Sequence, residues 1–134
     1  MSVLHERDLF MIDEYYPSNA HTHSLWCDGK NTTEEMTLAA IELGFTDLGF
    51  SSHSPAPFDD RCLGISDEVA YRNEIDELES RYDGRITLTC GCEQDYYAPV
   101  DRGRYEYIIN STHYLPREYE GAPLTIVSQC SNSD

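Results

Sequence analysis

The chain has 134 residues, of which 40% are hydrophobic, and it carries a net charge of 9 − 25 = −16. This length and composition predict one globular domain with a buried core, and they argue against disorder and against a membrane span, which needs about 18 apolar residues in a row. The acidity argues against a nucleic-acid partner, and an anionic substrate would need bound cations to reverse the local charge.

Residues 1–16 are predicted to form a lead-in segment before the folded part of the chain, residues 17–134. His5 lies in this segment and is expected to be a surface histidine. The N-terminus has no basic head followed by an apolar run, so no signal peptide is visible and a cytoplasmic location is expected.

The first predicted elements are a strand over residues 19–24 and a helix that follows it. Thr32 and Glu35 have the spacing of a capping box, which marks the start of the helix. Gly44 has the position of a residue that ends a helix. The apolar residues of this helix recur at i, i+3, i+4 and i+7 and are predicted to form its buried stripe: Met36, Ala39, Ala40 and Leu43.

A second strand is predicted over residues 46–52, and a second helix is predicted to begin at Ser66 and to stop at Asp83-Gly84. Residues 85–92 and 105–111 are rich in strand-forming residues, and residues 124–128 are a candidate fifth strand. The second helix has a buried stripe at i, i+4, i+7 and i+11, formed by Tyr71, Ile75, Leu78 and Tyr82.

Strands that alternate with helices predict βαβ units and a parallel sheet, with functional residues at the carboxyl ends of the strands. Side chains alternate between the two faces of a strand, so the sequence also predicts which face is which. The face toward the functional residues would carry small side chains: Gly49, Ser51, Thr89, Gly91 and Ser111. The opposite face would pack on the helices through Leu48, Phe50, Leu88 and Cys92.

The five cysteines do not predict disulfide bonds, because their number is odd and no signal peptide is visible. Cys90 and Cys92 lack the spacing of a CxxC motif and would share one face of a strand. They are expected to pack as small hydrophobic residues.

Imidazoles and carboxylates follow the predicted strands and form the candidate functional site. His21 and His23 are two residues apart on a strand and therefore point to the same face, to which Asp28 can return after the turn at Gly29. The full set is His21, His23, Asp28, His53, Glu93 and His113. These donors suit zinc, manganese or iron, and they suffice for two metals that share a bridging carboxylate and activate water for hydrolysis.

Five stretches of the sequence resemble the PHP (polymerase and histidinol phosphatase) superfamily, and most of all its histidinol-phosphatase branch. They are His21-Thr-His23-Ser-x-x-Cys-Asp28-Gly29, Gly49-Phe-Ser-Ser-His53-Ser-Pro, Tyr71-Arg-Asn-Glu-Ile-Asp-Glu-Leu, Gly91-Cys-Glu93-Gln-Asp-Tyr96 and Ile108-Ile-Asn-Ser-Thr-His113-Tyr-Leu. The resemblance covers nearly all of residues 19–115. It implies a distorted (β/α)7 barrel with two or three divalent metal ions (manganese, zinc or iron) at the carboxyl ends of the strands.

The resemblance also implies a role for each residue that matches its motifs. All six of the histidines and carboxylates named above would be metal ligands, with Glu93 as the bridging carboxylate. Asp28, Glu93 and His113 would take part in catalysis. The implied reaction is hydrolysis of a small phosphomonoester such as L-histidinol phosphate, as part of histidine biosynthesis.

The sequence departs from the branch in two respects. Ser52 stands where many relatives have an aspartate before the second-motif histidine. Relatives of this branch are about twice as long and supply another histidine and a final Asp-x-His motif, neither of which follows His113. Residues 17–134 are therefore expected to be the N-terminal part of a PHP domain, inactive when isolated and prone to self-association through an open barrel edge.

Other interpretations remain open from the sequence: a metal-binding chain without catalysis, another PHP activity such as a protein-tyrosine phosphatase or an exonuclease, or a βα unit with incidental histidines. The charge of −16 argues against the exonuclease. Lys30, Arg61, Arg102 and Arg104 are the candidate phosphate contacts near the motif loops, although each also fits a solvated surface charge. Trp26, Tyr96 and Tyr97 could line the site.

Overall fold

The structure is a computed structural model that describes residues 17–58, 64–117 and 125–128. Its elements are β1 (Ser18–Thr22), α1 (Thr33–Glu42), β2 (Asp47–Phe50), α2 (Glu68–Arg81), β3 (Thr87–Asp95), a short 3-10 helix (Arg102–Arg104), β4 (Tyr107–Ser111), β5 (Tyr114–Arg117) and β6 (Thr125–Ser128). The predicted lead-in segment, with His5, lies outside the described residues, as do Arg61, Cys62 and Cys130.

The first four strands form one parallel sheet in the order β1-β2-β3-β4, as predicted. Together with the two helices they form half of a (β/α) barrel, which confirms the predicted fold class. β5 and β6 form a separate antiparallel pair, and the sequence indicated only the second of these two strands. No helix in the described part of the chain is long and apolar enough to cross a membrane.

Helix α1 begins as predicted but buries a different face. Thr32 is its N-cap, the reciprocal capping box with Glu35 is present, and Gly44 beyond its end has a φ of 79°. Of the predicted stripe, Ala40 is buried and Met36 packs on the core, but Ala39 and Leu43 are exposed. Two threonines, Thr33 and Thr37, take the buried positions. They can do so because their hydroxyls donate to the Glu74 carboxylate and to the Thr33 carbonyl, respectively.

Helix α2 has the predicted stripe but not the predicted start. Its four apolar positions, Tyr71, Ile75, Leu78 and Tyr82, are all buried. The helix was predicted to begin at Ser66, but its N-cap is Asp67, since the Asp67 carboxylate accepts the backbone N–H groups of Val69 and Ala70 at 3.0 Å each.

The two faces of the sheet differ in side-chain size, as predicted. Leu48, Phe50, Leu88, Cys90 and Cys92 are buried in the core on the helix side. Burial raises the pKa of both thiols to about 12, so these two cysteines pack as small apolar groups. On the other face the ring of Tyr107 lies across Gly49 and Gly91, where a Cβ atom on either glycine would collide with it.

Strand β3 continues further than predicted. The sequence placed Glu93 just beyond the end of a strand, whereas β3 runs on to Asp95. The reason is its second neighbour: β4 pairs with residues 91–95 of β3, while β2 pairs in a regular ladder only with residues 87–90. Glu93 is therefore held inside a strand, and backbone pairing on both sides fixes the face of the sheet from which its side chain projects.

Candidate metal centre

The six predicted ligands come together at the carboxyl end of the parallel sheet. The ligands fall into three groups, and within each group the ligand atoms all lie within 4.8 Å of one another. The groups are His21, His23 and Glu93; His23, Asp28 and His53; and His53, Glu93 and His113. The groups share His23, His53 and Glu93, so the six residues form one continuous cluster. We call this cluster the candidate metal centre.

The Glu93 carboxylate is the middle of the candidate metal centre and is only 6% exposed. Its Oε2 atom lies 3.1 Å from His23 Nε2, 3.2 Å from His53 Nδ1 and 3.3 Å from His21 Nε2, and its Oε1 atom lies 3.3 Å from His113 Nε2. Within the described residues every ion-pair partner of Glu93 is a histidine. A buried carboxylate needs a compensating positive charge, which at this site must come from a protonated imidazole or from a bound cation.

The loop after β1 returns Asp28 to His23. The Ser24 carbonyl accepts the backbone N–H groups of Cys27 and Gly29, each at 3.0 Å, which closes a tight turn. A Cβ atom at Gly29 would collide with the Ser24 backbone, so this close approach requires glycine. Asp28 Oδ1 then lies 2.8 Å from His23 Nδ1. Asp28 therefore returns to the face of His23, as predicted, but the turn that returns it comprises residues 25–28 and is closed by the Gly29 N–H rather than lying at Gly29.

His53 is held by backbone pairing rather than by a loop. It forms an isolated parallel bridge with Glu93, in which Glu93 N–H donates to the Ser52 carbonyl at 3.0 Å and Ser54 N–H donates to the Glu93 carbonyl at 2.9 Å. Its Nε2 atom lies 3.4 Å from Asp28 Oδ2. The ring therefore stands between the two carboxylates of the candidate metal centre.

Asp95 belongs to the site but was not among the predicted residues. This buried carboxylate accepts the backbone N–H of His113 at 2.6 Å through Oδ2, and the same oxygen lies 3.3 Å from His113 Nδ1. The Ser111 hydroxyl lies 3.1 Å from that nitrogen as well. Two contacts on Nδ1 turn Nε2 of His113 toward Glu93. The period of two along a strand places Asp95 on the face of Glu93 and could have identified it.

Burial and close polar contacts shift several pKa values in the cluster. A hydrogen bond with the Cys27 thiol, opposed by burial and reinforced by Asp28, raises the pKa of His23 to about 9. Burial and the charge of His23 lower the pKa of His53. Burial would raise the pKa of Cys27, but hydrogen bonds with His23 and Ser52 outweigh it and the net shift is downward. Cys27 thus lies beside the candidate metal centre, unlike the two cysteines in the core.

Of the predicted phosphate contacts, Arg102 lies on the opposite side of the sheet from the candidate metal centre. Its guanidinium donates to the Asn110 side chain at 3.5 Å. Asn110 pairs with Gln94, so both face away from Glu93. A substrate contact by Arg102 stays a prediction that these contacts do not favour.

The remaining candidates for substrate binding differ in their exposure and in their contacts. Lys30 is exposed at the end of the first loop, and Arg61 lies outside the described residues. Tyr96 is 73% exposed. Trp26 is partly buried, and its indole N–H donates to the Glu74 carboxylate at 3.0 Å. Their substrate roles stay predictions, although the contacts of Trp26 already show a structural role.

The family model described as the PHP domain matches residues 19–129. The chain belongs to the PHP domain family. Among curated relatives, it is 27% identical over 109 residues to a protein of Deinococcus radiodurans assigned as a histidinol-phosphatase, covering 72% of this chain and 42% of the relative. It is 27% identical over 93 residues to the histidinol-phosphatase of Bacillus subtilis, covering 62% of this chain and 35% of that enzyme. The chain thus spans less than half the length of these relatives.

Solved structures show the same fold. The HisK protein of Listeria monocytogenes, assigned as a histidinol phosphatase, superposes with a TM-score of 0.64 at 23% identity, over 74% of this chain and 46% of that one. The histidinol phosphate phosphatase of Lactococcus lactis, solved with zinc, L-histidinol and phosphate, superposes with a TM-score of 0.61 at 19% identity, over 74% and 41%. The predicted resemblance to PHP proteins is confirmed, and at these identities the superpositions establish the fold alone.

Proposed function

We propose that this PHP chain carries the metal-binding part of a metal-dependent phosphomonoesterase of the histidinol-phosphatase kind. The observation that carries the proposal is the surrounding of Glu93, a buried carboxylate in contact with four imidazoles and close to a second carboxylate through His53. A divalent cation would displace the imidazole protons and supply positive charge to the two carboxylates, and nitrogen and oxygen donors suit manganese, zinc and iron.

The six residues of the candidate metal centre would hold two or three such ions, with Glu93 as the bridging ligand. Divalent cations bound there would lower the pKa of water and neutralise the charge that develops on a phosphoryl group. They would also reverse the negative charge of the site. A phosphomonoester is an anion, and without these cations it would be repelled by a protein with a net charge of −16.

The chain's own residues prepare the imidazoles for this task. Asp28 Oδ1 can accept a proton held on His23 Nδ1, and Asp95 Oδ2 can accept one held on His113 Nδ1. Each contact leaves the lone pair on Nε2, which points toward Glu93. Asp28 Oδ2 remains available as a ligand, and we propose that Asp28, Glu93 and His113 contact the reacting groups.

The proposed substrate is a small phosphorylated molecule, and L-histidinol phosphate is the first candidate. Support comes from the two curated relatives, whose names state histidinol-phosphatase activity, and from the Lactococcus lactis structure, which contains L-histidinol and phosphate. On this proposal the protein acts in histidine biosynthesis in the cytoplasm. Neither nucleic acid nor a membrane would be a partner.

A second candidate function is metal binding without turnover. The observation that favours it is coverage, since the matched region corresponds to 42% and 35% of the two curated relatives. Residues that lie in the rest of those relatives could be needed to complete a catalytic site.

The test is phosphate release from L-histidinol phosphate by the chain after reconstitution with manganese, zinc or iron, with Glu93→Gln as the matched variant. Release by the wild type that is lost in Glu93→Gln is the result that the proposed phosphatase function requires, and it would overturn the expectation from the sequence that the isolated chain is inactive. Preferential release from phosphotyrosine would indicate another PHP activity. Bound metal without release from either substrate would overturn the phosphatase proposal and leave the metal-binding function.

A further inference from the structure

The hydroxyl of Tyr71 lies between the two strands that carry His53 and Glu93. Tyr71 is a residue of α2 with no exposed surface. Its hydroxyl oxygen accepts the backbone N–H of Ser52 at 3.3 Å and donates to the carbonyl of Gly91 at 3.1 Å. Ser52 directly precedes His53, and Gly91 is two residues before Glu93.

This hydroxyl occupies a gap in the ladder between β2 and β3. The strands pair regularly as far as Phe50 and Cys90, and the same register returns at the bridge between His53 and Glu93. In a parallel ladder one residue bonds to the two neighbours of its partner, so Ser52 N–H would donate directly to the Gly91 carbonyl. Both groups bond to Tyr71 instead. One side chain therefore separates the strands just before the ligands.

The Tyr71 ring contacts the third ligand-bearing segment. Its centroid lies 5.8 Å from the ring of Trp26, with the planes at 70°, and Trp26 belongs to the loop between His23 and Asp28. One turn further along α2, Glu74 accepts the indole N–H of Trp26 at 3.0 Å. Tyr71 thus contacts the loop between His23 and Asp28, the backbone just after β2 and the middle of β3.

We propose that Tyr71 is a positioning residue for the candidate metal centre: its hydroxyl fixes the separation of His53 from Glu93, and its ring fixes the loop that carries Asp28. The inference rests on the proposed metal-binding function. Burial raises the pKa of Tyr71 well above its usual value, so the hydroxyl stays neutral and can both accept and donate.

The test compares Tyr71→Phe with Tyr82→Phe in the same chain. Tyr71→Phe keeps the ring and removes the hydroxyl, so Ser52 N–H and the Gly91 carbonyl lose their partner and can close on each other. Tyr82 is the matched control, because it is a buried tyrosine at the end of the same helix whose hydroxyl donates to Glu34 at 2.8 Å.

The first measurement uses metal-free, 15N-labelled protein. We expect Tyr71→Phe to shift the backbone amide resonances of Ser52, His53 and Glu93 and to speed hydrogen exchange at Ser52, while Tyr82→Phe leaves them as in the wild type. Unchanged resonances at His53 and Glu93 in Tyr71→Phe would overturn the proposal. If Tyr71→Phe does not fold, the wild type decides, because fast exchange at Ser52 would contradict the hydrogen bond to Tyr71 and slow exchange would support it.

The second measurement titrates cobalt(II) as the metal probe and records its visible absorption. Loss of a residue that orients ligands lowers metal affinity by about 10- to 100-fold, so we expect a weaker affinity and an altered band in Tyr71→Phe but not in Tyr82→Phe. The same affinity and band in both variants would overturn the proposal. Absence of cobalt binding by the wild type would contradict the proposed function instead, and the metal-free measurement would then decide the role of Tyr71.

Discussion

At the scale of single residues, the site depends on carboxylates that orient imidazoles. Asp28 contacts Nδ1 of His23 at 2.8 Å, and Asp95 contacts Nδ1 of His113 at 3.3 Å. In each pair the other ring nitrogen faces Glu93. A hydrogen bond to one ring nitrogen fixes the tautomer and makes the other nitrogen a better ligand. The two pairs therefore prepare opposite sides of the candidate metal centre in the same way.

The contact between Asp95 and His113 gives a prediction. Asp95→Asn removes the negative charge beside Nδ1, so His113 should lose its fixed orientation and metal affinity should fall by about 10-fold or more. Isothermal titration calorimetry with the metal ion measures this affinity. Asp101→Asn is the control, because Asp101 is an exposed carboxylate that caps the short 3-10 helix. Equal affinities in the two variants would argue against the orienting role of Asp95.

At the scale of elements, features that depend on residues close together in the sequence were predictable, whereas features that depend on contacts between elements were not. Thr32 and Glu35 cap α1 by reciprocal hydrogen bonds between the side chain of each and the backbone N–H of the other, so their spacing in the sequence is enough to identify them. The buried face of α1 depends on Glu74 of α2, which accepts a hydrogen bond from the Thr33 hydroxyl. The residue spacing within α1 cannot predict this contact with another helix. The extension of β3 to Asp95 likewise depends on its pairing with β4.

The start of α2 allows the predicted first residue, Ser66, to be compared directly with the observed N-cap, Asp67. Asp67 accepts two backbone N–H groups, whereas Ser66 lies outside the cap. We expect Asp67→Ala to lower the free energy of unfolding by about 1 kcal/mol, measured by urea denaturation. Ser66→Ala should leave it unchanged. A larger loss in Ser66→Ala would mean that the helix begins where the sequence first indicated.

Glu34 joins the start of α1 to the end of α2 and predicts a pH-dependent stability. Its carboxylate accepts hydrogen bonds from Tyr82 and Arg81, which hold the pKa of Glu34 below its ordinary value of 4.5. A lowered pKa in the folded state contributes stability above the unfolded pKa, and this stability is lost as the pH falls through the folded pKa.

We therefore expect Glu34→Gln to lower the melting temperature at neutral pH and to match the wild type in strong acid. Circular dichroism melts at the two pH values measure the difference, which should be modest because the group is exposed. A difference that stays the same at both pH values would contradict this account of the two helices.

At the scale of the whole molecule, the candidate metal centre was predictable because of how a parallel sheet is built. Carboxyl ends of parallel strands meet at one edge, so His21, His53 and His113 had to come together once the sheet was inferred. The supporting residues were not predictable in the same way. Tyr71 acts through a gap in the ladder between β2 and β3, which appears only when the register is known.

The sheet also bears on association between copies of the chain. β1 and β4 are the outer strands of the described four-stranded sheet, and outer strands have unpaired backbone groups. The net charge of −16 opposes contact between copies, so added salt should promote association by screening it. We expect the mass from light scattering to rise with salt. A monomer at all salt concentrations would argue against self-association through these edges.

The central claim is that the residues around Glu93 bind metal, and the most direct test is the number of metal ions per chain. The measurement is elemental mass spectrometry on untagged, dialysed protein, for the wild type, Glu93→Ala and Arg102→Ala. We expect one or more transition-metal ions per wild-type chain, a marked loss in Glu93→Ala and full retention in Arg102→Ala. A wild type without metal, or equal retention in both variants, would contradict the claim.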